Sequence, residues 1–193
     1  MSQTTKRALA ASLKQIMAVK PLSKITIADI TEDCGISRMT FYYHFQDIYD
    51  LIDWICQEEG SKALLGRKNY ETWQAGLISL YDTIRENRVF VEGVYRSIQR
   101  DKIENYLFQV VYGLLYDVVH QLSKDSPISQ EDQQYITHFY KYAFVGVTLD
   151  WVKGSMKEPP EEVVGRISRM IHGQLLSAIQ NMAAPSPSGG EGR

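Results

Sequence analysis

The stretch SRMTFYYHF, residues 37–45, crowds a guanidinium (Arg38), two phenols (Tyr42, Tyr43), an imidazole (His44) and two hydroxyls (Ser37, Thr40) into nine positions. The apolar side of one helix needs a hydrophobic group only every three or four residues, and Phe41 and Phe45 can fill that role. The remaining side chains are left over, and all but Met39 carry hydrogen-bonding groups. Taken alone, a Tyr-Tyr-His triplet also suits an ordinary amphipathic surface. No HExxH, GxSxG, P-loop or GxGxxG pattern occurs, so no catalytic residue and no cofactor is expected. His44, His120, His138 and His172 with Cys34 and Cys56 fit no metal-ligand spacing such as HxxxH or CxxC, and no metal is expected either. The two thiols read as small buried hydrophobes.

The 193 residues suffice for one large domain or two small ones, and 44% hydrophobic with 23% charged residues is ordinary globular composition. The net charge of −2 hides an asymmetry. Residues 1–46 hold six Lys/Arg (Lys6, Arg7, Lys14, Lys20, Lys24, Arg38) against three acids, a net of +3, so the other 147 residues carry −5. A modestly basic segment on an acidic body fits a small nucleic-acid module carried by something else. With no membrane-length apolar run, no signal core and two distant cysteines, a cytoplasmic protein with reduced thiols is expected.

The elements that must hold these residues read as helices throughout. Leu9, Leu13, Ile16 and Met17 form a stripe that ends before Pro21. Thr26 opens TIAD as a capping arrangement with Asp29. The CGIS turn at 34–37 breaks that short helix, with Gly35 suited to a left-handed conformation. Ser37 can cap a third helix through the aromatic run, and Asp47 opens a fourth carrying Leu51, Ile52, Ile55 and Cys56. Further helices are expected at Glu71–Asn87, Arg88–Ser97 (capped by Asn87) and Asp101–Ser123, the last apolar almost all round. Two more are expected from residue 129 to 151 and from Pro160 to Met182. The expectation is all-α, nine helices and no strand, with a disordered tail over 183–193.

A helix, a short capped helix, a glycine turn and a second short helix is the layout of a helix-turn-helix. Over residues 5–58 the run ITIADITEDCGISRMTFYYHFQDIYDLI resembles the N-terminal domain of the TetR/AcrR family of transcriptional regulators. Gly35, the Phe41-Tyr42 pair, His44-Phe45 and the helix that follows fall where that family has them. The resemblance implies a TetR-like architecture. Residues 1–46 would be a three-helix DNA-binding domain, 47–65 a connecting helix and 66–182 a ligand-sensing and dimerisation domain. It implies that Ser37, Arg38, Met39 and Thr40 face base edges. Thr26, Tyr42, Tyr43, His44 and Lys24 would meet phosphates, which position the protein without choosing sequence. One departure stands out. Where the family usually has a phosphate-binding lysine near the start of the fourth helix, this chain has Ile48, which lowers affinity and flattens the salt dependence.

The stretch FYKYAFVGVTLDWVKGSMKEPPEEVVGRI resembles the C-terminal domain of a DhaS-like subgroup, which includes an activator of a dihydroxyacetone operon. The implied function is a dimeric, ligand-responsive repressor on a near-palindromic operator. A DhaS-type activator controlled by a small molecule or a partner protein is the alternative, as is a helical binding protein whose helix-turn-helix no longer meets DNA. A homodimer is expected through Tyr140, Phe144, Val147, Trp151, Val164, Ile167, Ile171 and Leu175. An effector pocket is expected among Trp73, Tyr81, Tyr95, Tyr106, Phe108, Tyr112 and Tyr116, since phenols offer apolar bulk with a polar tip. For any one of these aromatics, the plainer expectation is that it fills the core.

Overall fold

The computed structural model of the chain describes residues 2–66, 69–97 and 100–183, and all regular structure among them is helical. Helix α1 (Ser2–Met17) buries Leu9, Leu13 and Met17, the stripe read from its spacing. A single 3-10 turn over Leu22–Lys24 leads to α2 (Ile27–Asp33), which opens with a complete capping box. Asp29 N donates to Thr26 Oγ1 at 3.2 Å, and Thr26 N donates to Asp29 Oδ2 at 2.7 Å. Gly35 then turns the chain at φ +65°, a conformation that costs a residue with a Cβ. Ser37 caps α3 (Arg38–His44), its Oγ accepting from Thr40 N at 3.1 Å.

Helix α4 (Ile48–Ala63) starts at Asp47, whose carboxylate accepts from Asp50 N at 2.8 Å, while Asp50 accepts from Gln46 N at 2.9 Å. The acids at this helix start are therefore caps, complementing the helix dipole. Helix α4 packs against α1 as well as α5 (Trp73–Glu86) and α7 (Arg100–Leu122), so it joins the small N-terminal unit to the larger body. A second junction is made by α6 (Arg88–Tyr95), which also packs on α1. Asn87 does not cap α6 with its side chain. Its amide instead donates to Thr83 O at 2.8 Å and closes α5.

Helix α8 (Gln130–Lys153), capped by Ser129, runs along α7. Helix α9 (Pro160–Ile171) begins with Pro160 in its first turn and lies on α5. The ninth helix read from sequence is divided: Gly173 at φ +74° ends α9, and α10 (Gln174–Ala183) turns back onto α7 and α8. The body's core centres on Tyr81, fully buried, with its hydroxyl 2.7 Å from Thr148 Oγ1 and its ring 4.7 Å from that of Trp151. The tail expected to be disordered lies, from residue 184 on, outside the described residues. Among the described residues no helix is long and apolar enough to cross a membrane.

Candidate nucleic-acid interface

Helix α3 is held from beneath by two rings. Phe41 and Phe45 are buried, 5.9 Å apart, and belong to the core shared with Leu9, Leu13, Ile30 and Leu51. With those two positions facing inward, the helical repeat turns Met39, Tyr42 and Tyr43 outward, and Arg38, the first residue of α3, is exposed as well. Met39 and Tyr43 are more than 80% exposed and Tyr42 is 58% exposed. Burying large hydrophobic and aromatic groups stabilises a fold, so their display on the helix that follows the glycine turn argues for a contact made with another molecule. His44 is half-buried, its ring 4.9 Å from that of Tyr43.

The small hydroxyl residues are busier than their positions suggest. Ser37 Oγ and Thr40 Oγ1 are 2.9 Å apart, one hydroxyl donating to the other, in addition to the cap on Thr40 N. Thr26 Oγ1 gives its proton to Asp29 Oδ2 at 2.8 Å. That proton is no longer available to a phosphate, and the Thr26 side chain instead fixes the start of α2. Lys20 Nζ also reaches Asp29 Oδ2, at 2.7 Å. Lys20, followed by the amide and hydroxyl of Thr26, holds the Asp29 carboxyl down at about 2.

The cations of the basic segment are largely committed inward. Arg7 Nη2 pairs with Glu58 at 3.0 Å and Lys14 with Glu59 at 3.1 Å, both tying α1 to α4. The Lys6 ammonium lies 5.3 Å from the centre of the Phe45 ring and 5.8 Å from that of Trp54, a cation–π arrangement. Among the described residues, Lys24 and Arg38 are the two exposed cations of this segment with no acidic or aromatic partner. Ile48, at the position of the usual lysine, is half-buried and packs against the core.

Of the seven aromatics expected around an effector, one lines the cavity beside α4. That cavity, of about 50 Å³, lies between α4 (Ile55, Cys56, Glu59, Gly60), α5, α6 and α7. Tyr106 reaches into it, and its hydroxyl is buried with no hydrogen-bond partner among the described residues. The phenol sits so close to α4 that a Cβ added at Gly60 would stand 1.4 Å from Tyr106 Oη. Burial raises its pKa, as it raises that of the neighbouring Cys56 thiol to about 12. Trp73 and Tyr81 are core residues, and Tyr95 does not line the cavity. Phe108, Tyr112 and Tyr116 recur every fourth residue, which puts all three on the outer side of α7, away from the cavity.

The residues expected at a subunit interface also need correction. Phe144, Trp151, Val164, Ile167 and Leu175 are buried inside one subunit, Tyr140 and Ile171 are half-buried, and Val147 alone of the eight is exposed, at 42%. The apolar surface that α8, α9 and α10 leave open consists of Tyr135, Phe139, Tyr142, Val147, Met170, Leu176 and Met182. The sequence signal for it is that α8 is apolar on more than one side, in YITHFYKYAFVGV.

A family model described as a transcriptional regulator C-terminal region, TetR_C_8, matches residues 71–173. Among curated proteins the chain is similar to the HTH-type dhaKLM operon transcriptional activator DhaS of Lactococcus lactis subsp. lactis (strain IL1403). The two are 24% identical over 149 residues, which cover 76% of this chain and 78% of the relative. Among solved structures it is similar to the dihydroxyacetone kinase operon activator DhaS, with a TM-score of 0.71 and 22% identity over 93% of this chain and 98% of that one. It is also similar to the TetR family repressor AlkX from Dietzia sp. strain DQ12-45-1b, with a TM-score of 0.53 and 12% identity over 93% and 97% of the two chains. At these identities the structural likeness is one of fold.

Proposed function

The chain belongs to the TetR family of transcriptional regulators, and from that premise we propose that two copies bind one near-palindromic operator and act there as a ligand-responsive repressor. The observation that carries this reading is the outward face of α3, where Arg38, Met39, Tyr42 and Tyr43 stand exposed on a helix clamped by Phe41 and Phe45. We assign Arg38 to a guanine edge and Met39, with Ser37 and Thr40 beside it, to neighbouring base edges such as a thymine methyl. Tyr42, Tyr43, His44 and Lys24 go to phosphates, which set register without reading sequence. A seven-residue helix reads few base pairs, so usable specificity calls for two half-sites and a dimer. Of the exposed strip on α8 through α10, the part made by Val147, Met170, Leu176 and Met182 is the surface we assign to that dimer. The protein has no catalytic role in this scheme and works in the cytoplasm.

The effector site we assign is the cavity between α4, α5, α6 and α7. About 50 Å³ admits little more than a water or two. A larger guest must therefore move α4 or its neighbours, and α4 is the helix that carries the reading head through Arg7 and Lys14. The unpartnered Tyr106 hydroxyl supplies a donor for the guest. A guest can change DNA affinity only by its differential binding to the two arrangements, and a tenfold change needs about 1.4 kcal/mol of coupling.

One observation favours a second reading. DhaS, matched over about three quarters of both chains, is by name an activator. The experiment for the first reading is fluorescence anisotropy with DNA from upstream of the protein's own reading frame. In vitro transcription on that DNA then separates the signs: added protein lowers transcript for a repressor and raises it for an activator.

A further inference from the structure

The outer seam between α7 and α8 holds a cation in an aromatic surround. Lys141 is only 8% exposed. Its Nζ lies 3.0 Å from His138 Nδ1 and 4.6, 5.0 and 5.8 Å from the ring centres of Tyr142, Phe108 and Tyr112. Among the described residues no carboxylate pairs with it. An ammonium has three donors. One is met by His138 and the others face π-clouds, which attract a cation without neutralising it. Burying a charge in this way is costly unless a counter-ion arrives. The site opens on a shallow depression of about 330 Å³ lined by Phe108, Gln109, Tyr112, His138 and Lys141, again without a carboxylate.

We infer that this seam is a docking site for a protein segment that brings an Asp or Glu side chain to Lys141, flanked by apolar residues that lie on the surrounding rings. Charge complementarity calls for the carboxylate. Shape calls for a segment of chain. A small anion would remain largely in water on so open a surface, whereas ligand pockets bury roughly 70–90% of their guests. The rings of Phe108, Tyr112 and Tyr116 are spread over eight residues, about 12 Å along α7, which is the reach of a short helix or strand. Tyr142 and Phe139, 60% and 67% exposed, extend the same surface across α8. Exposed tyrosines and phenylalanines of this kind are the anchors that dominate protein interfaces. A second copy of the chain does not answer the charge, because a two-fold contact centred here would set one carboxylate-free patch against another.

The inference does not rest on the DNA-binding reading, and its test uses no DNA. A displayed library of 12-residue peptides is selected on the full-length protein and counter-selected on Lys141→Met, which keeps the apolar stem. Surviving peptides are expected to carry Asp or Glu between apolar residues. Each should bind wild type at least tenfold more tightly than it binds Lys141→Met, and at least tenfold more tightly than its Asn or Gln counterpart does. Tyr142→Ala, a change at an exposed ring, should weaken them too, with the melting temperature checked for every variant. The inference is overturned if no peptide survives counter-selection, or if the amide counterparts bind equally well. It is overturned also if benzoate competes as tightly as the peptides, marking a small-anion site, or if Tyr142→Ala splits a dimer, marking a self-interface.

Discussion

Replacing Ile48 by lysine should steepen the salt dependence of DNA binding by an amount that follows from the charge inventory. Four of the six cations in residues 1–46 are engaged within the subunit: Lys6 by Phe45 and Trp54, Arg7 by Glu58, Lys14 by Glu59 and Lys20 by Asp29. Lys24 and Arg38 remain, and with Arg38 on a base edge Lys24 alone meets a phosphate, one per subunit and two per dimer. At about −0.9 per neutralised phosphate, log K against log salt should fall with a slope of about −1.8 for the wild-type dimer. Between 50 and 200 mM salt, that slope loses roughly one decade of affinity. One added lysine per subunit takes the slope to about −3.6 and the loss to roughly two decades. The site can accept the change, because Ile48 is half-buried in the first turn of α4. A lysine stem can cover the same apolar surface with its ammonium in water. The cost of a cation near that helix start is about 0.3–1 kcal/mol. Anisotropy titrations of one operator duplex at three salt concentrations measure both slopes. A wild-type slope of about −7 would refute the inventory, since the paired cations would then be leaving their partners for DNA. An unchanged slope in Ile48→Lys would mean that the start of α4 does not face the duplex.

Val147→Glu, made on the exposed strip of α8, should give a monomer by sedimentation equilibrium at micromolar concentration with its melt preserved. Phe144→Ala, made in the core one turn away, should instead cost about 3–5 kcal/mol of stability in denaturant unfolding. Gly60→Ala should destabilise the fold by about 1–3 kcal/mol through the clash with Tyr106, and a double variant with Tyr106→Ala should lose less than the two single losses together. Asp29 is held at about 2 against its ordinary 3.8, so its stabilising contribution is complete above 3.8 and is lost as the pH falls through about 2. In urea unfolding between pH 5 and 2, Asp29→Asn should lack that part of the acid loss, and an unchanged pH profile would refute it.

The helix-turn-helix was legible in the sequence because its signals are local. Thr26 with Asp29, Gly35, Ser37 and Asp47 each act within four residues, and each makes in the structure the cap or turn its type suggests. The body was harder to read because its questions are about facing. Phe144, Trp151 and Ile167 repeat as an amphipathic stripe should, but periodicity does not say whether a stripe meets its own core or a partner. The answer depends on α5, far away in sequence, which sets Trp73 against Phe144, Tyr81 against Trp151 and its own flank against α9. On α7 the nearly continuous apolar run hid a half-buried side, so Phe108, Tyr112 and Tyr116 could be assigned to an interior that only Tyr106 reaches. The break at Gly173 carried a signal, a His-Gly pair at a helix end, that the long apolar pattern around it masked.

The central claim is that α3 reads DNA, and the direct measurement is an anisotropy titration of the DNA upstream of the reading frame against an unrelated duplex of equal length. Wild type and Arg38→Ala are compared at one fixed salt concentration. Two subunits per site are expected, with at least about a thousandfold preference for the upstream duplex. Arg38→Ala should lose about 1–3 kcal/mol on that duplex and much less on the unrelated one. Equal affinity of wild type for the two duplexes, or an equal loss on both for Arg38→Ala, would contradict it.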